Sequence, residues 1–295
     1  MSKHVPVLLQ EVIDNLALEP GETLLDGTLG GGGHSTKVLE QVPSARVIAL
    51  DQDPSAISKF QEISSKQFPN SKLELVNANF RNLDKVLEKL SISSVDAVLL
   101  DLGISSDQLE VSGRGFSFQT NEPLDMRMSG EGITARDILN TFSEEALELI
   151  IRGFGEERYS ARIAKEIVER REKKPFETTF ELRDAILAAV PGSYKRERLN
   201  PATRTFQSLR IAVNEELTAL EEGLEKAFEA LSPGGRLAVI SFHSLEDRIV
   251  KNFFRELAKQ DRVSLVTKKP IVPSEEEKLK NPRSRSAKLR VIKKL

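Results

Sequence analysis

Short, mostly apolar runs alternate along the chain with segments in which apolar residues recur at helical spacing. Four such runs lie in the first 100 residues, over 22–26, 46–50, 72–76 and 95–100. Runs without polar alternation are typical of strands buried on both faces, as in a parallel sheet covered by helices. The pattern therefore predicts an α/β fold, in which ligands bind at the carboxyl ends of the strands.

A long interval separates the fourth predicted strand from the fifth, which is expected over 236–241, after Pro233-Gly234-Gly235. One crossover between parallel strands needs only about a dozen or more residues. A helix leading to the fifth strand is predicted over 212–231. Residues 107–210 are therefore predicted to form an inserted helical domain, and residues 1–106 and 211–295 together form the sheet domain.

The remaining elements follow from the same periodicities. Apolar residues at helical spacing predict helices, and two runs near the end of the chain predict further strands. The predicted helices cover 7–16, 34–41, 54–65, 82–90, 143–151, 160–172, 180–190 and 245–259, and the further strands cover 262–267 and 287–294.

Composition narrows the possible chemistry. The chain has 295 residues, of which 39% are hydrophobic, and no stretch approaches the ~20 apolar residues of a membrane-spanning helix. No apolar signal segment opens the sequence, so a cytoplasmic protein without membrane association is expected. The absence of cysteine excludes disulfides, thiolate zinc sites, iron–sulfur clusters and cysteine nucleophiles.

Charge is distributed unevenly although the net charge is only −2. Residues 262–295 contain eleven Lys and Arg against three Glu, a net charge of +8, so the rest of the chain carries −10. A basic segment on an acidic body favours a polyanionic partner such as nucleic acid. The alternative is a solvated, partly mobile tail.

A glycine cluster follows the first predicted strand and precedes a helix, from Gly27 to Gly33. Glycines there let the backbone approach a ligand beside a helix N-terminus, although a tight structural turn is the alternative. The Gly-x-Gly-x-x-Gly pattern of dinucleotide sites fails in both frames, and Gly33 is followed by His34 rather than the Lys of a P-loop. The remaining pattern resembles the first motif of Rossmann-like S-adenosylmethionine (SAM) methyltransferases.

Polar and aromatic residues end the neighbouring strands. Asp51 lies 21 residues after Gly30, which suits a carboxylate that binds ribose hydroxyls. In this class of enzyme, Phe80 follows the third strand where adenine binds, and Asp101 ends the fourth strand beside the transferable methyl group. Each aspartate could also be an ordinary strand-end residue.

Asp101 also has a possible chemical role. An exocyclic base amine donates its lone pair into the ring, and an acceptor for its N–H groups helps to restore its nucleophilicity. A carboxylate accepts such hydrogen bonds without being a strong base. We therefore treat Asp101 as a candidate catalytic residue. Covalent attack on pyrimidine carbon 5 is excluded because the chain has no cysteine.

Longer motifs resemble one family closely, the bacterial ribosomal small-subunit RNA (cytosine-N4)-methyltransferases. The resemblance extends from HVPV at 4–7 to the basic C-terminal segment. The motifs that carry it are GGH (32–34), DLGISSDQL (101–109), RGFSF (114–118), LDMRM (124–128), FQSLRIAVN (206–214), ISFHSLEDR (240–248) and NPRSRS (281–286).

The resemblance implies a class I SAM-dependent methyltransferase sheet with an inserted substrate-recognition domain. It implies methylation of N4 of a decoding-region cytosine in 16S rRNA, with the RNA as part of the small ribosomal subunit and SAM as cofactor. DNA-type amine methyltransferases carry Asp/Asn-Pro-Pro-Tyr where this chain has Asp101-Leu102-Gly103-Ile104, so other groups must position the amine. The cofactor contacts that the resemblance implies are Gly32, Gly33, His34, Asp51, Phe80, Asp101 and Gln108.

Other side chains have both a functional and a structural interpretation. His34 opens a helix and either contacts the cofactor or has the structural role of capping or orienting the loop. His243 follows the fifth strand and either binds substrate or makes a structural hydrogen bond. Asp125 and Arg127 either line the substrate pocket or pair with each other. The spacing of His243 and Glu246 does not match a His-Glu-x-x-His zinc site, and no metal site is predicted.

A further set of residues is predicted to bind RNA, through phosphate contacts and base stacking, unless it is merely solvated surface. This set comprises the basic C-terminal segment and Lys195, Arg196, Arg198, Arg204, Arg210 and Phe206. A cytosine amine inside a stack cannot reach a sulfonium, so we expect the target base to be flipped into a cleft between the domains and free cytidine to be a poor substrate.

Other functions remain open at this stage. A nucleotide-dependent oxidoreductase is disfavoured by the missing third glycine. A SAM-binding RNA-binding or ribosome-assembly factor without catalytic activity would keep the same motifs. A methyltransferase that acts on protein or on a small molecule fits the core motifs but leaves the basic segment unexplained.

Overall fold

A computed structural model describes residues 6–295, so His4 and Val5 of the N-terminal motif lie outside the described residues. The chain divides into two compact units. Unit 1 comprises the described residues up to Ser105 together with Leu217–Leu295, and unit 2 is Ser106–Glu216. Unit 2 is thus inserted into the sequence of unit 1 and is described separately.

Unit 1 is built on a seven-stranded sheet with the order β3-β2-β1-β4-β5-β7-β6. Strands β1 to β5 pair in parallel, whereas β7 is antiparallel to both of its neighbours. The strands are β1 (Thr23–Asp26), β2 (Arg46–Asp51), β3 (Lys72–Asn77), β4 (Val95–Asp101), β5 (Leu231–Ser241), β6 (Val263–Leu265) and β7 (Lys288–Lys294). The α/β class predicted from the sequence is confirmed.

Helices connect these strands and flank the sheet. Short 3₁₀ turns occur at Phe80–Asn82 and Pro282–Ser286. The helices of unit 1 are α1 (Leu9–Leu16), α2 (Gly33–Gln41), α3 (Pro54–Gln67), α4 (Leu83–Lys89), α11 (Glu216–Ala230), α12 (Ser244–Lys259) and α13 (Glu275–Lys280). Glu216, the first residue of α11, falls in unit 2.

The apolar strand runs arise because both faces of the sheet are buried. Leu25, Leu100 and their equivalents on neighbouring strands pack with α4, α11 and α12 in one core. Leu24, Leu99 and their equivalents pack with α1 and α2 in a second core on the opposite face. Successive residues of a strand point to opposite faces, so the inner strands β1, β2, β4 and β5 are largely apolar on both faces. The edge strand β3 is only partly buried and carries Lys72 and Glu74.

Unit 2 is helical. Its helices are α5 (Ser106–Glu110), α6 (Ala135–Thr141), α7 (Glu144–Gly155), α8 (Ser160–Arg171), α9 (Thr179–Ala189) and α10 (Ala202–Asn214), with a 3₁₀ turn at Tyr194–Arg196. The helices predicted over 143–151, 160–172 and 180–190 are present as α7, α8 and α9. Side chains of Ser143 and Thr134 cap the backbone N–H groups that begin α7 and α6.

Two predicted elements differ in the structure. The helix predicted over 212–231 is interrupted at Glu215, which has φ 48° and separates α10 from α11. The fifth strand begins at Leu231 rather than at 236, because Leu231 pairs with Val95 while Arg236 pairs with Ala97. An irregularity in the register accommodates residues 232–235, including the predicted Pro-Gly-Gly break.

The basic C-terminal segment is part of the sheet. Strand β7 lies between β5 and β6, and Asp247 on α12 accepts hydrogen bonds from Lys288 at 2.9 Å and from Arg290 at 2.8 Å. These ion pairs hold the pKa of Asp247 below its usual range, in spite of the opposing effect of burial. The interpretation of this segment as a mobile tail is therefore wrong for β7.

None of the helices within residues 6–295 has the length and apolar character needed to cross a membrane.

Candidate active site

The glycine loop, residues 27–33, connects β1 to α2 and is fixed by the ends of the adjacent strands. Gly27 donates its backbone N–H to the carbonyl of Leu99, and Leu29 donates to the carbonyl of Leu50. The Gly30 N–H donates to Asp51 Oδ2 at 2.8 Å. Strands β1, β2 and β4 are neighbours in the sheet, so Asp51 and the loop meet at its carboxyl edge.

Asp26 lies beneath the loop at the end of β1 and is almost completely buried. Its carboxylate accepts hydrogen bonds from the Ser35 hydroxyl at 2.6 Å and from the Thr28 N–H at 3.1 Å. Burial raises the pKa of Asp26 to about 6, and repulsion by the Asp51 carboxylate adds to the increase. Asp26 therefore holds the loop together from its buried side.

Asp101 ends β4 at the same edge. Its backbone N–H donates to Thr28 Oγ1 at 2.6 Å, which connects it directly to the glycine loop. Its Oδ1 atom is buried and has no hydrogen-bond partner among residues 6–295. Burial raises the pKa of Asp101 well above its usual range, with further increases from the Asp26 and Glu246 carboxyls. A buried acceptor without a partner is costly, and such atoms are common where a ligand supplies the missing donor.

His34 lies in the first turn of α2 and is buried. Its Nε2 atom is 3.2 Å from the carbonyl oxygen of Val7. Since a carbonyl only accepts, Nε2 carries a proton in this arrangement. Its Nδ1 then faces Asp101 Oδ2 at 3.7 Å. The Val7 contact thus orients a ring nitrogen of His34 toward the Asp101 carboxyl.

The structure gives Gly32 and Gly33 a packing role. A Cβ at Gly32 would lie 2.1 Å from the buried ring of Phe60, and Gly32 has φ +74°. A Cβ at Gly33 would lie 2.1 Å from Pro6. Both positions need glycine whether or not a cofactor is bound. Their predicted cofactor contacts remain predictions, alongside this structural requirement.

Phe80 begins the 3₁₀ turn that follows β3. Its ring packs on α11 at Gly223, where a Cβ would lie 2.4 Å from the ring. The preceding Asn79 donates to Gln52 Oε1 at 2.8 Å and accepts the Arg81 N–H. The loops after β2 and β3 are thereby joined. The contact of Phe80 with the adenine stays a prediction.

His243 caps α12, which corresponds to the structural interpretation of this residue. Its Nδ1 accepts the Glu246 N–H at 3.4 Å, while the Glu246 Oε2 accepts the Phe242 N–H at 2.8 Å and the His243 N–H at 3.3 Å. This reciprocal arrangement is a capping box. The other ring nitrogen, Nε2, lies 3.2 Å from Glu246 Oε1.

Three predicted site residues belong to unit 2. Gln108 is buried in α5. Arg127 donates through Nε to Asp125 Oδ1 at 2.9 Å and through Nη2 to Asp125 Oδ2 at 2.7 Å, so the structural pairing considered for these two residues is present. The pairing lowers the pKa of Asp125 against the opposing effect of burial.

Asn214 and Arg114 hold the backbone around this pair. Asn214 accepts the Met128 N–H at 2.8 Å and donates to the Met126 carbonyl at 2.8 Å. Arg114 donates to the carbonyls of Arg127 and Met128. These contacts stabilise the positive φ of 60° at Met126. The RGFSF, LDMRM and FQSLRIAVN motifs therefore share one hydrogen-bonded framework.

Two of the residues predicted to bind RNA have other roles. Phe206 is 4% exposed and packs edge-on against Phe118 with ring centroids 5.4 Å apart, so its predicted stacking on RNA bases is wrong. Arg210 forms a bidentate pair with Glu216, with distances of 2.7 and 2.8 Å. Lys195, Arg196 and Arg198 are exposed, as predicted for a surface that meets phosphates.

Sequence reasoning did not assign a role to Thr28 or Glu246. Thr28 connects the glycine loop to Asp101. The sequence signal that could have identified Thr28 is its hydroxyl, two positions after the aspartate that ends β1. Glu246 supports the turn after β5. The spacing of a potential N-cap residue followed three positions later by Glu is a capping-box signature that could have identified it.

The raised pKa of Asp26 leads to a prediction for Asp26→Asn. With a folded pKa of about 6 against 3.8 in the unfolded chain, the stabilising effect of the bound proton is complete below pH 3.8 and is lost as the pH rises to about 6. Asn carries no such proton. We expect the unfolding free energy of the variant, relative to wild type, to increase by about 2 kcal/mol between pH 4 and pH 7.

Urea titrations at several pH values measure this difference. The control is Asp14→Asn, because Asp14 is exposed on α1. The unfolding free energy of this control should change with pH in the same way as that of the wild type. If the difference in unfolding free energy between Asp26→Asn and wild type is the same at pH 4 and at pH 7, the proposed burial of a protonated carboxyl is contradicted.

Comparison with known proteins agrees with this geometry. The family model for the MraW methylase family matches residues 1–295. A ribosomal RNA small subunit methyltransferase H from Carboxydothermus hydrogenoformans is 49% identical and aligns with 99% of this chain and 98% of its own length. The Deinococcus deserti protein of the same name is 50% identical, with 99% of this chain and 93% of its own length aligned.

A solved structure of an rRNA methylase from Streptococcus thermophilus is also similar. It covers 99% of this chain and 98% of its own chain, with 14% sequence identity and a TM-score of 0.48. The full-length family match and the two relatives at about half identity decide the assignment. The chain belongs to the MraW methylase family and is an S-adenosylmethionine-dependent methyltransferase.

Proposed function

We propose that this enzyme methylates the exocyclic N4 of a decoding-region cytosine in 16S rRNA, within the small ribosomal subunit in the cytoplasm. The observation that carries the proposal is the buried Asp101 Oδ1 at the carboxyl end of β4, an acceptor for which residues 6–295 supply no donor. The names of the relatives, small-subunit rRNA methyltransferases, support RNA as the substrate class. The family motifs quoted above support cytosine N4 as the target atom.

The residues at the sheet edge fit SAM, which supplies an electrophilic methyl group when bound. The orphaned Asp101 Oδ1 offers an acceptor there. Asp51 is held by the Gly30 and Asp53 N–H groups, and a carboxylate has about four acceptor sites in total, enough for ribose hydroxyls as well. We propose that Gly32, Gly33, His34, Phe80 and Gln108 complete the cofactor site.

Asp101 has a proposed role in the transfer itself. Methyl transfer from bound SAM to N4 would make the amine more positive until it loses a proton. A carboxylate that accepts an amine N–H stabilises this developing charge. A cation bound beside a carboxyl favours its ionised form, so Asp101 becomes a better acceptor when the site is filled. Its Thr28 and His34 contacts keep the carboxyl in place.

Recognition of the RNA is proposed to involve the inserted helical domain, residues 107–210, and the pair Asp125 and Arg127. A stacked cytosine must leave its neighbours before its amine can react. The binding energy of the surrounding RNA offsets that cost, which a free nucleoside cannot do. His243 is proposed to contribute by fixing the turn that follows β5, since its side chain caps α12.

The test is methyl transfer from labelled SAM to three acceptors: small subunits from cells that lack this protein, naked 16S rRNA, and free cytidine. We expect labelling of RNA and little labelling of cytidine. Rapid turnover of free cytidine would contradict the need for an RNA substrate. If SAM and the subunits bind but no label is transferred, the protein is an assembly factor without this activity.

A further inference from the structure

Unit 2 carries an exposed group of cationic side chains around two tyrosines. We call it the Tyr194 surface. It begins at the N-terminal end of α8 and continues through the 3₁₀ turn at Tyr194–Arg196. Its members are Arg158, Tyr159, Arg162, Tyr194, Lys195, Arg196 and Arg198, and all of its cationic residues are exposed.

Ring contacts join Arg158, Arg162 and the two tyrosines into one stacked group, and the other three cations follow Tyr194 directly in the chain. The Arg158 guanidinium lies 5.0 Å from the ring centre of Tyr159 and 4.5 Å from that of Tyr194. The Arg162 guanidinium lies 5.8 Å from the ring centre of Tyr159. The two tyrosine rings meet edge-on with centroids 4.9 Å apart. Cationic and aromatic groups are thus stacked in a defined order rather than scattered over the helix surface.

A buried carboxylate fixes the tyrosines from below. Glu157 is 1% exposed, and its side chain accepts the Tyr194 hydroxyl at 2.6 Å and the Tyr159 N–H at 2.8 Å. Burial and the nearby Glu157 raise the pKa of the Tyr194 hydroxyl to about 12. The Tyr194 hydroxyl therefore stays protonated, and Glu157 holds both tyrosines in place. The arginines stacked on these rings lose less freedom on binding a ligand than free side chains would.

Few acidic groups neutralise the surface. Arg158 pairs with Glu197, but both side chains are at least half exposed, and exposed pairs of this kind contribute little. A phosphate can therefore replace Glu197 as the partner of Arg158 at low cost. Glu157 itself is buried beneath the rings and hydrogen-bonded, so five exposed cations face solvent around it.

We propose that the Tyr194 surface binds the sugar-phosphate backbone of the substrate RNA and stacks on an unpaired base. This inference rests on the proposed function and adds a specific RNA-contact surface to it. Arginine binds phosphate through two parallel N–H groups and stacks on flat rings, which suits single-stranded RNA. An acidic protein segment needs the charge but not the stacked arrangement.

The test variant is Arg158→Gln/Arg162→Gln/Arg196→Gln. A matched control removes three exposed cations near the opposite end of α8 and on α6, as Lys173→Gln/Lys174→Gln/Arg136→Gln. For each protein, KM and kcat are measured with small subunits lacking the methylation, subunit binding is measured between 50 and 200 mM salt, and SAM affinity and thermal unfolding are measured separately.

We expect KM for the subunit to rise at least tenfold in the test variant, with kcat and SAM affinity within twofold of wild type. The slope of log affinity against log salt should fall by about two, since each lost phosphate contact accounts for ~0.7 to 0.9. The control should resemble wild type. Arg158→Lys keeps the positive charge but loses the planar guanidinium that stacks on the tyrosine rings. Its KM should lie between those of the wild type and the test variant.

Wild-type KM and salt slope in the test variant would overturn the proposal, provided that the wild-type enzyme methylates the subunit. Loss of binding to polyglutamate with unchanged binding to RNA would also overturn it, in favour of an acidic protein partner. If the wild-type enzyme transfers no methyl group to RNA, the proposed function fails instead. The binding data then still report on the surface, because they do not depend on turnover.

Discussion

Asp101→Asn is expected to lower kcat for methyl transfer by at least about 100-fold while changing SAM affinity less than fivefold. A decrease in kcat of this size is expected when one well-placed electrostatic contact to the reacting group is lost. Asn has the shape of Asp and can still present an oxygen, but it carries no negative charge to stabilise the amine as it becomes cationic. Its backbone N–H can still donate to Thr28, so the loop should remain in place.

The matched control for this prediction is Asp96→Asn, on the same strand. Asp96 lies near the other end of β4, where its Oδ2 accepts the Thr23 N–H at 2.9 Å. An asparagine oxygen can make the same contact, so kcat should stay within twofold of wild type. Single-turnover assays and SAM titration separate rate from affinity. A loss confined to SAM affinity, with an unchanged rate at saturation, would remove Asp101 from the reaction.

Gly32→Ala is expected to lower the unfolding free energy by about 4 kcal/mol. The added methyl group would overlap the fully buried Phe60 ring, and overpacking of this kind costs about 1–3 kcal/mol. The left-handed backbone at Gly32 adds about 1–2 kcal/mol for any residue with a Cβ. Phe60 packs against the second core, so the clash should also disturb the glycine loop.

Gly30→Ala separates the two costs of the Gly32 substitution. Gly30 also has a positive φ, of +51°, but an added Cβ would meet nothing closer than 3.8 Å. Its stability loss should therefore be the backbone strain alone, about 1–2 kcal/mol. Urea denaturation of both variants without cofactor measures the difference. Equal losses in the two variants would show that contact with Phe60 does not decide the residue at position 32.

The sheet was predictable from the sequence because its inner parallel strands are buried on both faces. Leu99 and Leu100 point to different cores, so the run in β4 is continuously apolar and cannot be mistaken for a half-exposed strand. The acidic residues that end β2 and β4 were identified for the same reason, since a parallel sheet brings its carboxyl ends to one edge. Both the strands and the acidic residues at their ends can thus be located from neighbouring residues in the sequence.

Features that depend on distant contacts were not predictable in the same way. Glu215 breaks a helical pattern through a left-handed conformation that its residue type does not favour. Phe206 has the composition of a stacking residue beside arginines, yet it packs against Phe118 from a loop 88 positions away in the chain. The His243 cap, by contrast, is a local contact with Glu246 three positions later, and its capping-box spacing is readable from the sequence.

The measurement that tests the central claim most directly is the identity of the methylated nucleoside. Small subunits from cells lacking this protein are incubated with the enzyme and labelled SAM, and the 16S rRNA is digested to nucleosides for mass spectrometry. The account predicts that the label appears on N4 of cytidine, and that Asp101→Asn at equal SAM occupancy produces far less of it. Label on any other nucleoside or on another atom of cytidine would contradict the account.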